Sequence, residues 1–381
     1  MRPMRPTALF ISNIRWDFVW QRHQTMAALC ARDYDVVFCE IPGVRGPGWR
    51  DLSRLWSWLK PHGRREGATE PVPAGVRVVR PRMLPAIHPL LCRINAWLLD
   101  RWLAREPGLR AGVELIVNYS PARTALQLIG RVPHRQLVYD CTDDWLAVRG
   151  IPRFLPADEQ QLLRQADLTL VPSLTLLARK QPGSRRCVQL PHGALVDRFL
   201  VAPRPPTQLD RLVLLYYGHL HRQHLDFALL EHIARERPGW RLLLVGPVKT
   251  PHVFPPNVML TGQVQHEQLR EYVAQADVIL LPYVLNHYTE AVMPAKTYEC
   301  LATGRLIVAT ALPELVAELP VELNYPQGPE DWVPVIERAA ATDSAGARAA
   351  RIALAQANTW ESRYTRFTQL LREETPPVPV N

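Results

Sequence analysis

Along the chain, short apolar runs rich in leucine and β-branched residues alternate with longer stretches of helical period. That alternation predicts βαβ units feeding parallel sheets. In the first half, strands are predicted at 8–14, 34–41, 76–82, 114–120, 136–142, 168–173 and 186–193. In the second half they fall at 212–218, 240–247, 258–262, 277–283, 305–310 and 321–325. Helices are predicted between them, among others at 21–32, 226–236, 268–274 and 295–302. The alternation breaks at the Pro-rich stretch Val201-Ala-Pro-Arg-Pro-Pro-Thr-Gln-Leu-Asp210, and a strand restarts it directly afterwards. The economical reading is an α/β protein of two facing Rossmann-like, doubly wound domains. Residues 1–200 form the first domain, 201–210 the linker and 211–355 the second. Residues 356–381 then supply a C-terminal helix returning to the first domain and a frayed tail. Ligands of open α/β sheets sit beyond the carboxyl ends of the strands, so strand-end residues are expected to line an interdomain cleft.

Composition narrows the class. At 381 residues the chain exceeds what one core usually holds, and 47% hydrophobic residues is ordinary for a globular enzyme. No apolar run reaches the roughly 18 to 20 residues that span a bilayer. The N-terminus runs straight into a strand, without the apolar segment of a signal peptide. Six cysteines are scattered with no CxxC pair, which indicates neither a zinc site nor a disulfide framework but reduced thiols of a cytoplasmic protein. The net charge of +9 favours anionic partners such as nucleotide phosphates or acidic lipid headgroups. Nucleic acid is not an expected partner, since no helix-turn-helix or RNP-like string accompanies the charge. Only four of the 45 basic residues are Lys (Lys60, Lys180, Lys249 and Lys296), so a Lys inside a motif stands out.

One segment concentrates candidate chemistry: Leu281-Pro-Tyr-Val-Leu-Asn-His-Tyr-Thr-Glu-Ala-Val-Met-Pro-Ala-Lys-Thr-Tyr-Glu-Cys-Leu-Ala-Thr-Gly-Arg-Leu-Ile-Val-Ala-Thr310. A strand ends at Tyr283, a polar loop follows, Pro294 opens a helix and Gly304 closes it. Free N–H groups at that helix start, with Lys296 in the first turn, suit a pyrophosphate. Glu299, three residues on, can face the same cleft and suits two vicinal ribose hydroxyls. The stretch resembles the P-x-K-x-x-E-x-L-A-x-G-x-x-V-x-x-T signature of retaining GT-B glycosyltransferases. The resemblance implies the GT-B fold and a nucleoside-diphosphate sugar as co-substrate, with no other cofactor and no metal. It places Glu299 on the donor ribose. It also puts the loop residues Tyr283, His287, Thr289, Glu290 and Met293 by the sugar and diphosphate. The family's first acidic position falls on Ala291, with Glu290 one residue out of register. Either a shifted loop lets Glu290 touch the sugar, or backbone groups do that work.

Other segments extend the resemblance over roughly 8–370. Leu212-Val-Leu-Leu-Tyr-Tyr-Gly-His-Leu-His-Arg-Gln-His-Leu-Asp226 is similar to the opening of the donor domain. There the family's two diphosphate cations fall on His219 and His224, next to Gly218, with Arg222 between as a substitute. Gly246 closes the next strand, and backbone near Val264 is expected by the nucleobase. Trp16-Asp-Phe-Val-Trp-Gln-Arg-His23 is similar to the opening of a bacterial subgroup that includes teichuronic-acid-type glycosyltransferases. It suggests an acceptor side at Trp16, Gln21, Arg22 and His23, although Trp16 and Trp20 at helical spacing also read as packing residues. Val138-Tyr-Asp-Cys-Thr-Asp-Asp-Trp145 puts Asp140, Asp143 and Asp144 at a strand end. Asp143 and Asp144 are candidates for acceptor binding or a base, and an Asp there also suits a helix N-cap.

These readings together predict a cytoplasmic hexosyltransferase-type enzyme of polysaccharide or glycoconjugate synthesis, acting on a glycan, lipid-linked or small-molecule acceptor. Lys296 and Arg222 would stabilise the leaving diphosphate. A non-hydrolysing sugar-nucleotide epimerase and a catalytically silent sugar-nucleotide-binding partner are the competing readings. The stretch 49–60 sets Trp49, Leu52, Leu55, Trp56 and Leu59 on one helical face with Arg50, Arg54 and Lys60 beside them. This pattern suits a helix lying on an anionic membrane. The run 93–105 has a similar character.

Overall fold

A computed structural model describes residues 5–18, 20–43, 71–148, 150–204 and 208–373, so the stretch 49–60 and the tail 375–381 lie outside the described residues. The chain divides into two compact units, Met1–Pro191 with Tyr364–Asn381, and His192–Arg363.

The first unit is built on strands β1 (Thr7–Ser12), β2 (Asp35–Glu40), β3 (Val76–Val79), β4 (Val113–Asn118), β5 (His134–Asp140), β6 (Leu168–Val171) and β7 (Cys187–Gln189). Their order is β3-β2-β1-β4-β5-β6-β7, and all pairs are parallel. Phe10 on β1 pairs with Phe38 on one side and Val117 on the other. Central strands of this sheet are buried on both faces, and this is why they read as unbroken apolar runs.

The second unit repeats the plan with β8 (Val213–Tyr217), β9 (Arg241–Val245), β10 (Val258–Gly262), β11 (Val278–Leu281) and β12 (Leu306–Ala309). The order is β10-β9-β8-β11-β12, again all parallel. Helix Phe227–Glu236 shows how sequence sets an element here. The Asp226 carboxylate accepts the Leu229 N–H at 2.9 Å, and Phe227, Leu230, Ile233 and Ala234 turn inward.

Three expectations change. The stretch 321–325 is not a strand: Asn324 alone bridges to Val308, and Val321 is exposed. Pro320 and Pro326 close it in and leave no room for a ladder. The units part at Pro191/His192 rather than at the Pro-rich stretch. Ala194, Val196, Phe199 and Val201 are buried in the second unit's core with Tyr217 and Leu301. The helix expected at 295–302 is the shorter Thr297–Ala302, because the Pro294 carbonyl accepts both the Thr297 N–H and its hydroxyl and holds a turn ahead of it. Lys296 is therefore the capping residue.

Helix Pro89–Leu103 covers the run 93–105. Cys92, Asn95, Leu99 and Leu103 are buried, and the Asn95 amide bonds both the N–H and the carbonyl of Leu84. Leu90, Ile94 and Trp97 stay exposed, with Arg101 stacked over Trp97 at 4.9 Å. No helix among the described residues is long and apolar enough to cross a membrane.

Candidate active site

In the second sheet the strand order turns back between β8 and β11, which opens a crevice at their carboxyl ends. Glycines form its backbone rim. Gly218 follows β8 at φ +134° and Gly246 follows β9 at φ +140°. A Cβ on Gly246 would stand 2.0 Å from the Gly218 carbonyl oxygen, so only glycine lets these two strand ends pass.

Lys296 enters this rim from the other side of the switch point. Its ammonium donates to the Tyr217 carbonyl and lies 3.7 Å from the Tyr216 ring centroid, with Tyr217 and Tyr283 at 5.3 and 5.7 Å. Burial pulls the Lys296 ammonium down to about 8, against the opposing pull of Cys300 and Glu299. Burial likewise pushes the Glu299 carboxyl up to about 7, although Lys296 and Arg198 favour its charged form. Both side chains are half-buried, and burial disfavours the charge on each. His219, exposed on the turn after Gly218, is held below the ordinary imidazole value. Partial desolvation acts first, then Lys249, Lys296 and His221.

The structure thus gathers Gly218, His219, Gly246, Tyr283, Lys296 and Glu299 at one set of strand ends. Arg198, Tyr216 and Lys249 belong there too and were missed. Arg198 lies on the short helix Val196–Phe199, outside every segment singled out in the sequence. Lys249 is one of four lysines in an arginine-rich chain, a signal that was present.

Other candidates are placed elsewhere. The Arg222 guanidinium bonds His252 Nδ1 at 2.7 Å and lies over Phe227 at 5.6 Å, on the exposed side of the loop. The ring of His224 packs 5.1 Å from Tyr288. Thr289 is buried and staples its own loop, donating to the Val284 carbonyl at 2.6 Å and accepting the Asn286 N–H. Met293 belongs to the core, and Val264 packs against that core. Glu290 stands 4.0 Å from His287 Nδ1, with His287 exposed.

In the first unit the expected acceptor residues turn inward. Trp16 is buried edge-on against Phe38 and Trp20. Gln21 caps helix Arg22–Cys30 in a reciprocal box with Gln24. Arg22 donates to the Asp140 carboxylate at 2.8 Å and to the Leu190 and Pro191 carbonyls, with both charged side chains almost fully buried. His23 accepts or donates at Ser12 Oγ, 2.8 Å away, and stacks on Tyr119 at 3.8 Å. The buried Asp144 carboxylate is ion-paired with Arg179 and Lys180. Asp143 stays half-buried, its carboxylate accepting the Thr142 hydroxyl at 3.2 Å. Among the described residues no three His, Cys, Asp or Glu side chains are grouped to hold a metal ion.

Residues 211–339 match the family model described as glycosyl transferases group 1. Over 231 residues the chain is 26% identical to TuaH of Bacillus subtilis (strain 168), described as a teichuronic acid biosynthesis glycosyltransferase. That match covers 53% of this chain and 58% of the relative, so it spans little more than half of the relative's length. The fold is similar to that of sucrose-phosphate synthase from Thermosynechococcus elongatus, with TM-score 0.69 and 19% identity over 97% of this chain and 98% of that one. It is also similar to Anabaena Alr3699/HepE, solved in complex with UDP and glucose, with TM-score 0.65 and 12% identity over 96% and 99%. The chain has the GT-B fold, and its residues 211–339 carry the glycosyl transferases group 1 match. The matched domain contains every residue gathered at the β8–β11 crevice except Arg198.

Proposed function

We propose that this GT-B protein transfers a hexose from a nucleoside-diphosphate sugar held at the β8–β11 crevice. The observation that carries the reading is Lys296: a cation drawn under Gly218, enclosed by tyrosines and costly to keep charged until an anion arrives. Glu299 takes the ribose hydroxyls. Acceptor attack forms the new glycosidic bond as the anomeric carbon–oxygen bond breaks. The electron pair leaves with the diphosphate, near Lys296, and the acceptor's proton passes to a phosphate oxygen. This same-face course retains the anomeric configuration. It draws on the family signature and requires no carboxylate nucleophile. Purified protein incubated with a panel of nucleotide sugars and cell-surface glycan acceptors tests the reading. Transfer should depend on Glu299, and NMR of the product should show the donor's anomeric configuration. Turnover of the donor alone into its epimer would replace this reading with an epimerase.

The acceptor we propose is part of a cell-surface polysaccharide, glycan or lipid-linked, in line with what the TuaH description says of that relative. The face Leu90, Ile94 and Trp97 of helix Pro89–Leu103, with exposed Arg93, Arg101 and Arg105 beside it, suits an anionic membrane surface. Vesicle flotation with anionic and neutral lipids tests this: Trp97→Ser with Arg101→Glu should abolish binding to anionic vesicles.

A further inference from the structure

Basic side chains converge on the turn 218–220 from three parts of the second unit. Lys296 comes from the segment before helix Thr297–Ala302, and its ammonium stands 3.1 Å from where a Cβ on Gly218 would be. Lys249 comes from the loop after β9. Its N–H donates to the Leu220 carbonyl at 2.9 Å, and Val248 bridges to Leu220 beside it. His219 lies between these two anchor points, with His221 following on the same loop. Both ammoniums and His221 oppose a charge on His219, and no carboxylate is among the groups that bear on it. Neither Lys249 nor Lys296 makes an ion pair with an Asp or Glu among the described residues. Glu299 acts on Lys296 only at longer range. Arg222 is occupied by His252 and Phe227.

Like charges held around one turn repel, and the repulsion is relieved by an anion that can touch both sides of it. A diphosphate has two charged groups and can meet a lysine arriving from each side of the turn. Its arrival reverses the field at His219. We propose that Lys249 and Lys296 grip a nucleoside diphosphate from the two sides of the 218–220 turn, and that binding places a proton on His219. The imidazolium then becomes a third donor, and the departing diphosphate is held more tightly as pH falls. This rests on the donor reading above and adds to it a residue, Lys249, and a proton.

Calorimetric titration at about pH 7 with UDP and with inorganic pyrophosphate, in buffers of different ionisation enthalpy, reads affinity and proton uptake together. At that pH Lys296 is already mostly charged, but Glu299 and the ligand's own phosphate also titrate, so the His219 share is the part of the uptake lost in His219→Gln. Wild-type protein should take up a fraction of a proton on binding either ligand. Lys249→Ala should weaken both about 10- to 100-fold, the worth of a charge-assisted contact, while Lys249→Arg stays near wild type. His219→Gln should lose most of the uptake. Lys249 is exposed, so its variants should fold, as circular dichroism will show. Wild-type affinity in Lys249→Ala, or unchanged uptake in His219→Gln, would overturn the arrangement. If Lys296→Ala still lost affinity in that case, the donor reading would stand. Failure of the wild-type protein to bind either ligand would overturn both.

Discussion

The two sheets turn back at equivalent places, between β1 and β4 and between β8 and β11, and their strand ends carry polar groups of opposite fate. In the first unit, Arg22, His23, Ser12 and Asp140 are buried and bonded to one another or to backbone carbonyls, with only Arg22 Nη2 and Asp140 Oδ1 left unbonded. In the second unit, Lys296 and Glu299 are enclosed enough to shift their proton affinities in the costly direction, and His219 joins them on the open side. One topology therefore makes a closed polar cluster in one case and, in the donor reading we propose, a ligand site in the other. The discriminating feature is whether each charge already has a partner in the empty protein.

The largest effects should come from breaking the closed set. Asp140→Asn leaves the Arg22 guanidinium buried without its counter-charge, which costs about 3–5 kcal/mol in urea or thermal unfolding. The double change Arg22→Met with Asp140→Leu should recover most of that loss. An Asp140→Asn protein as stable as wild type would show that this core is open to solvent. In the second unit, Lys296→Ala should act on binding instead, weakening nucleoside diphosphates about 100-fold with little loss of stability.

Glu299 sharpens the contrast through pH. Its carboxyl is raised from 4.5 to about 7, so the folded protein binds more protons than the unfolded chain between those values. Its contribution to stability is present below about 4.5 and is lost as pH rises through about 7. The loss amounts to at most about 3 kcal/mol. Glu299→Gln should flatten this part of the stability–pH curve while abolishing transfer. An unchanged slope would mean the carboxyl is well solvated.

Much of this was legible in the sequence, and the limits have physical causes. Strand runs such as Val213–Tyr217 are apolar because both faces are covered, so local composition reports them directly. Lys296 and Glu299 could be found because three residues of spacing puts them on one side of a helical turn. Burial of Arg22 could not be found. Its partner Asp140 is 118 residues away in sequence, and nothing local distinguishes a closing charge from a binding one. The ion pairs of Asp144 were hidden for the same reason, since Arg179 and Lys180 lie on another helix. Lys249 lay outside every quoted motif and acquires meaning only through the β9–β8 pairing that brings it beside Leu220.

The smallest effect is expected at Arg222, the cation offered by the sequence as a substitute for the two positions that fall on His219 and His224. Its guanidinium is exposed, bonded to His252 and laid over Phe227. An exposed contact of that kind contributes well under about 1 kcal/mol. Arg222→Ala should therefore change nucleoside-diphosphate affinity less than about threefold, while the same assay registers Lys296→Ala strongly. The comparison is made with the whole donor sugar present. A loss at Arg222 equal to that at Lys296 would mean the loop closes on the donor. The open side of the second unit would then be completed by movement instead of by Lys249.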